Sequence, residues 1–167
     1  MVYVLSIQSI PNKPGVYTLI IDVVKPTKIQ VGELGRVEFQ AGVYAYTGSA
    51  LGKRTSNLKA RIGRHLKIEK KRIWNVDYLL VTGSAKIVGV VASVTEVNME
   101  CIVSKFLESS PGIEVTVRGF GSHDCHSGCK AHLHFFPMYR YSEVVDLILA
   151  AHRNAGLKPI LTDLEEI

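Results

Sequence analysis

Cysteine is scarce and odd in number, three in a chain of 167 residues. Such a count does not build a disulfide framework and points to a reducing compartment, the cytoplasm. Long apolar runs are missing too. None approaches the ~20 residues that cross a bilayer, so no membrane is expected among the partners. No basic segment followed by a long apolar stretch opens the chain, so no secretory signal is expected. Internal repeats and low-complexity tracts are absent, which excludes solenoids and disordered linkers. Acidic residues are the scarcer charge: 15 Asp and Glu stand against 20 Lys and Arg, a net of +5. That balance favours polyanions as partners without singling one out.

What is present is a globular composition, 47% hydrophobic and 21% charged, long enough to bury a sizeable core. One domain over residues 1–156 and an acidic, peripheral tail over 157–167 are expected. The expected fold class is α+β, a small and mainly antiparallel β-sheet flanked by α-helices. The β-branched run 15–24, closed by Pro26, reads as a buried strand. Segments 29–31 and 36–39 flank Gly32-Glu33-Leu34-Gly35 and read as a hairpin. Further strands are expected at 1–7, 42–46, 76–81, 86–94 and 132–136. Helices are expected at 56–70, capped by Ser56 or Asn57, at 96–107 and at 141–154.

The stretch 46–65 carries the first functional signal. A strand runs into Gly48-Ser49, and a basic helix follows. At about 100° per residue, Leu58, Ile62 and Leu66 form its apolar stripe. His65 falls inside that stripe and Arg61 on its flank. An inward arginine and histidine need something anionic or polar to meet them; the alternative is an arginine whose stem packs while its head reaches water. Glu100 presents the same choice on the next helix, either compensated by a cation or metal or reaching solvent at the edge. Tyr17 and Tyr46 sit in β-rich segments that antiparallel pairing would bring together; two aromatics covering a sheet face is the plainer reading.

A second signal is the loop 118–130 and the strand after it. Cys125-x₃-Cys129-x₂-His132 has zinc spacing but only three obvious ligands. His123, His126 or Asp124 could supply the fourth. Cys101 is disfavoured because helical geometry turns it away from the Glu100 face. The alternatives are a turn in which Asp124 accepts backbone amides while the cysteines pack, or Asp124 or His132 at the rim of an active site.

Taken in order, Gly15-Val16-Tyr17, Tyr46-Thr47-Gly48, Asn57-Leu58-Lys59-Ala60-Arg61 and Glu100-Cys101 resemble the successive motifs of the GIY-YIG nuclease superfamily. Asp77-Tyr78-Leu79-Leu80, Gly119-Phe120-Gly121, Asp124-Cys125 and His132-Leu133 are similar to marks of its Uri-type branch. The resemblance covers about residues 15–136. The isoleucine of each tyrosine motif is replaced, Asn75 stands in place of a histidine, and the wide separation of the motifs implies an inserted β-hairpin at about 27–40.

The resemblance implies a metal-dependent endonuclease that cuts DNA, in repair and beside other DNA-repair proteins, with RNA as the other polymer left open. In it, Tyr17 or Tyr46 would orient and deprotonate water, with Arg61 or the metal lowering the tyrosine pKa. Arg61 would clamp the phosphate, His65 would touch phosphate or water (the alternative being a packing histidine hydrogen-bonded to a strand), and Glu100 would hold one Mg²⁺ or Mn²⁺. Gly48 and Ser49 would cup a phosphate oxygen near the helix N-terminus. Lys53, Arg54, Arg64 and Lys67 would meet the nucleic-acid backbone. The competing reading is a nucleic-acid-binding module that does not cut, with a structural zinc loop of Cys125, Cys129 and His132.

Overall fold

The computed structural model describes residues 3–123 and 125–166. Asp124, named above as a zinc ligand or turn acceptor, lies outside the described residues. In chain order the strands and helices are β1 (Tyr3–Leu5), β2 (Gly15–Val23), β3 (Thr27–Gln30), β4 (Arg36–Phe39), β5 (Gly42–Ala50), α1 (Leu58–Leu66), α2 (Asn75–Leu80), β6 (Ala85–Val94), α3 (Glu100–Glu108), β7 (Leu133–Phe136), α4 (Tyr141–Asn154) and β8 (Ile160–Glu166). The architecture is α+β. Six strands form one sheet in the order β1-β8-β6-β2-β5-β7, with every neighbouring pair antiparallel.

β2 lies at the heart of this sheet and is buried along nearly its whole length. That explains its unbroken β-branched run: a strand covered on both faces has no polar alternation. Tyr17, Leu19, Ile21 and Val23 point to one side, into a core shared with Leu58 and Ile62 of α1 and Val76 and Leu79 of α2. Val16 and Ile20 point to the other, against Val103 and Leu107 of α3 and Val144 and Ile148 of α4. The expected hairpin is present, since β3 and β4 pair as a separate two-stranded unit. Its tip reaches the site, with Leu34 Cδ2 3.3 Å from where a Gly119 Cβ would lie.

Four expectations need correction. The segment expected as a strand at 76–81 is helix α2. Asp77 decides it, since its Oδ2 accepts from the amides of Ile73 and Trp74 at 2.9 Å each and caps a helical turn. The tail 157–167 is not peripheral: β8 pairs β6 on one side and β1 on the other. Strand β5 does not end at Tyr46 but runs through Gly48 and Ser49 to Ala50, so those two residues form no turn at a helix N-terminus. Helices α1 and α3 are shorter than expected. The Asn57 side chain accepts from the Ala60 amide at 3.0 Å and so caps α1, as one of the two candidate caps.

Candidate active site and metal centre

β2 and β5 pair so that Tyr17 lies opposite Gly48 and Leu19 opposite Tyr46. Cross-strand partners share a face, so both tyrosines face α1. Nothing larger than glycine fits opposite Tyr17, because a Cβ at position 48 would lie 2.6 Å from its hydroxyl. The His65 ring, on α1, lies 5.5 Å from the Tyr17 ring and 6.2 Å from that of Tyr46. Arg61, one turn earlier, donates to the Ser49 carbonyl at 3.0 Å and places its guanidinium 4.5 Å from the centre of the Trp74 ring. Asn98 Oδ1 takes the Ser49 hydroxyl at 3.1 Å and the Glu100 amide at 3.4 Å, and so ties β5 to the start of α3. Tyr17, Tyr46, Gly48, Ser49, Arg61, Glu100, Cys125 and His132 all line one cavity of about 640 Å³. Its remaining wall comes from the hairpin tip, from Trp74 to Tyr78, and from the loop around Gly121.

Behind the tyrosine runs a chain of buried polar groups. The Tyr17 hydroxyl is 2.7 Å from His65 Nε2, and His65 Nδ1 is 3.9 Å from Asp77 Oδ1. A carboxylate facing Nδ1 favours the proton on that nitrogen, which leaves Nε2 to accept from Tyr17. Burial pushes the His65 pKa down to about 3, against the opposing pull of Asp77, so the imidazole is neutral. Arg61 or the metal was expected to lower the pKa of Tyr17 or Tyr46. Arg61 does lower that of Tyr17, but burial is the larger effect and leaves it well above the ordinary tyrosine value. Tyr46 is raised for the same reason. Neither is a phenolate at neutral pH, and the Tyr17 hydroxyl is held by its hydrogen bond to His65.

Asp77 is the pivot of this face. Arg64 grips it with both guanidinium nitrogens at 3.1 Å each and sends a further bond to the Lys71 carbonyl at 2.8 Å. These bonds outweigh burial and hold the carboxyl below its ordinary pKa. Arg64 was expected to meet a phosphate backbone. It is instead the counter-ion of a buried carboxylate, and removing one partner of such a pair costs about 3–5 kcal/mol. Lys53, Arg54 and Lys67 are exposed and lie outside the cavity wall.

The cysteine loop closes over the first turn of α3. Cys101, Cys125, Cys129 and His132 offer ligand atoms that all lie within 4.8 Å of one another, a group that could hold a metal ion. Cys101 Sγ is 2.9 Å from Cys125 Sγ and 3.6 Å from His132 Nε2. The fourth member of the group is therefore Cys101, the residue disfavoured from helical geometry. The wheel put it about 100° round from Glu100, but the loop comes to it and wraps the helix end. His123 and His126 are exposed and stay outside the group. For Cys125, burial would raise the thiol pKa, but hydrogen bonds from Cys101 and from the amides of Cys129 and Ser127 prevail and lower it. Three sulfurs and one nitrogen at this spacing suit a closed tetrahedral ion, for which ~2.3 Å metal–sulfur bonds are usual.

Sequence reasoning missed Trp74, disfavoured Cys101, and marked Asp77 within a motif without a role at the site. A bidentate Arg–carboxylate pair across two helices leaves no signal in spacing. Among the described residues, no helix is long and apolar enough to cross a membrane. A family model with the description "Domain of unknown function DUF123" matches residues 16–156. No curated protein and no solved structure matches the chain.

Proposed function

The chain belongs to the family described as Domain of unknown function DUF123, a description without an activity, and from its site we propose a metal-dependent endonuclease that cuts a phosphodiester of DNA. The observation that carries this reading is the meeting of Tyr17, Tyr46, Arg61 and Glu100, from four separate elements, on one cavity. The ordered resemblance to GIY-YIG nucleases supports it independently.

The geometry supports the following roles. Tyr17 holds the attacking water by its hydroxyl oxygen and passes its own proton to His65 Nε2, taking one from the water. Asp77 faces the ring and favours the charge that forms on it, against the burial that holds the His65 pKa at about 3. Arg61, oriented by the Ser49 carbonyl and the Trp74 face, turns its remaining donors to the phosphate charge. Glu100 fits a hydrated Mg²⁺ or Mn²⁺: it is a partly exposed carboxylate on a cavity with room for the ion's waters. When bound, such an ion supplies charge stabilisation at the leaving oxygen. The Cys101, Cys125, Cys129 and His132 group holds zinc in a structural role. Exposed Lys53, Arg54 and Lys67 meet the flanking backbone.

The test is cleavage of supercoiled plasmid and of single-stranded and branched oligonucleotides, with Mg²⁺, Mn²⁺ or chelator. Glu100→Gln and Arg61→Ala should each lower the rate by on the order of 10² or more, the scale of losing a principal electrostatic stabiliser. Variants that cut like the unaltered protein overturn the assignment. Unaltered protein that binds DNA without metal and never cuts it replaces the nuclease with a binding module. Zinc is checked separately: the purified chain should carry about one equivalent, and chelation should lower its melting temperature. Metal analysis that finds none, with Cys125→Ser melting unchanged, removes the zinc.

A further inference from the structure

His132 faces two ways. Its side chain is 1% exposed. Nε2 belongs to the cysteine group, 3.6 Å from Cys101 Sγ. Nδ1 lies 3.8 Å from Glu100 Oε2 and, among the described residues, has no side-chain hydrogen bond, although the Gly121 backbone also acts on the ring. Glu100 and Cys101 are consecutive on the first turn of α3. One residue thus serves the cavity wall, and its neighbour serves the cysteine group.

An imidazole has one proton to place when neutral. A metal on Nε2 forces that proton onto Nδ1, where it points at Glu100. Carboxylates that receive such a proton orient the ligand and raise its basicity, and their loss commonly weakens metal binding about 10–100-fold. A buried nitrogen without a partner is costly, so the Nδ1–H and the carboxylate gain from closing the short gap between them.

We infer that Glu100 is the carboxylate that orients His132 in a Cys₃His zinc site, so that zinc in the loop and the carboxylate at the cavity form one coupled unit. With zinc bound, the His132 proton holds one Glu100 oxygen and leaves the other on the cavity wall. Without zinc, His132 is free to take the other tautomer and that hold is lost. The zinc half of this inference stands on the loop geometry alone. Only its consequence for the cavity rests on the nuclease reading.

The coupling is measured without DNA. Zinc affinity of the full chain is taken by competition with a chromophoric chelator, for unaltered protein, Glu100→Gln and Glu100→Ala. Loss of the carboxylate should weaken zinc about 10–100-fold in Glu100→Ala, with a smaller loss in Glu100→Gln. Cobalt substitution should keep the thiolate charge-transfer bands in every variant, which shows that the four ligands still assemble. In the reverse direction, Mn²⁺ should bind the zinc-loaded chain more tightly than the zinc-free chain, by the same factor by which Mn²⁺ tightens zinc. A slowly exchanging His132 Nδ1 proton should appear in the NMR spectrum of the zinc-loaded chain and be lost in Glu100→Ala.

Zinc affinities within twofold of one another across the three proteins overturn the coupling, as does a chain that takes up no zinc. If zinc affinity falls as expected and no substrate is ever cut, the coupling stands and the nuclease reading fails. If cleavage depends on Glu100 while zinc affinity does not, the outcome is the reverse.

Discussion

Two histidines, His65 and His152, lie on opposite faces of the same sheet, and both are buried. His152, on α4, is satisfied at both nitrogens: Nε2 meets Thr18 Oγ1 at 3.0 Å and Nδ1 meets Ser93 Oγ at 2.8 Å. Thr18 continues to Thr47 at 3.1 Å, so hydroxyls of β2, β5 and β6 meet around one imidazole. Nothing charged enters that set. His65 has a tyrosine at one nitrogen, while its other nitrogen is without a hydrogen bond beside a carboxylate. It also backs onto a residue that lines the cavity. Burial alone therefore says little about a histidine. What separates a fastening from a proton acceptor is whether its partners leave it anything further to do.

The largest expected effect breaks the comparison at the chemistry. His65→Ala should lower cleavage by about 10²–10⁴, the range for a lost general base, with His152→Ala cutting near the unaltered rate under conditions where it is folded. Cleavage lost equally in both would mean that the first acts only through the fold. The next effect is on stability. His152→Ala leaves the Thr18 and Ser93 hydroxyls short of a buried partner, a loss on the order of 2 kcal/mol, read from urea unfolding. A change under about 0.5 kcal/mol would remove it as a fastening.

A further effect is one of pH, smallest per pH unit and common to both. Burial lowers the His152 pKa to about 4 and that of His65 to about 3. Both are neutral in the fold, whereas the unfolded chain protonates its histidines near pH 6.5. Stability is then fully present above that pH. It falls as pH drops from about 6.5 toward 4 for His152, and on toward 3 for His65. The slope is at most about 1.4 kcal/mol per pH unit for each group. Urea unfolding at a series of pH values should show a shallower acid limb in either alanine variant than in the unaltered chain.

Much of the fold could be read in advance where local physics decides it. The run Gly15–Val23 could only be a strand buried on both faces. Tyr141–Asn154 has a clean helical stripe and a glycine after it. The hairpin announced itself by its glycines. The failures are places where partners distant in sequence decide. Val76, Leu79 and their neighbours are as apolar as a strand, and an aspartate capping its own helix turned them the other way. Cys101 became a member of the metal group because a loop more than twenty residues later folds over it. The acidic tail looked soluble, yet β6 offered it an edge to pair with. At the site, motif order placed Tyr17, Tyr46, Arg61 and Glu100. It marked Asp77 within a motif but gave it no role, because its partner Arg64 lies on another helix.

The pairing of β1 with β8 bears on the order in which the protein is made. Among the described residues β1 comes first in chain order, and in the sheet it pairs with β8, the strand that comes last. During synthesis it waits while everything between is completed. Pairings so far apart in sequence close late, because the loop entropy must be met first. The strands that carry the cavity, β2, β5 and β6, pair among themselves and need neither. The strands at the cavity can therefore pair before β1 and β8 do, and pulse-labelled exchange during refolding should find amides of β2 protected earlier than those of β1.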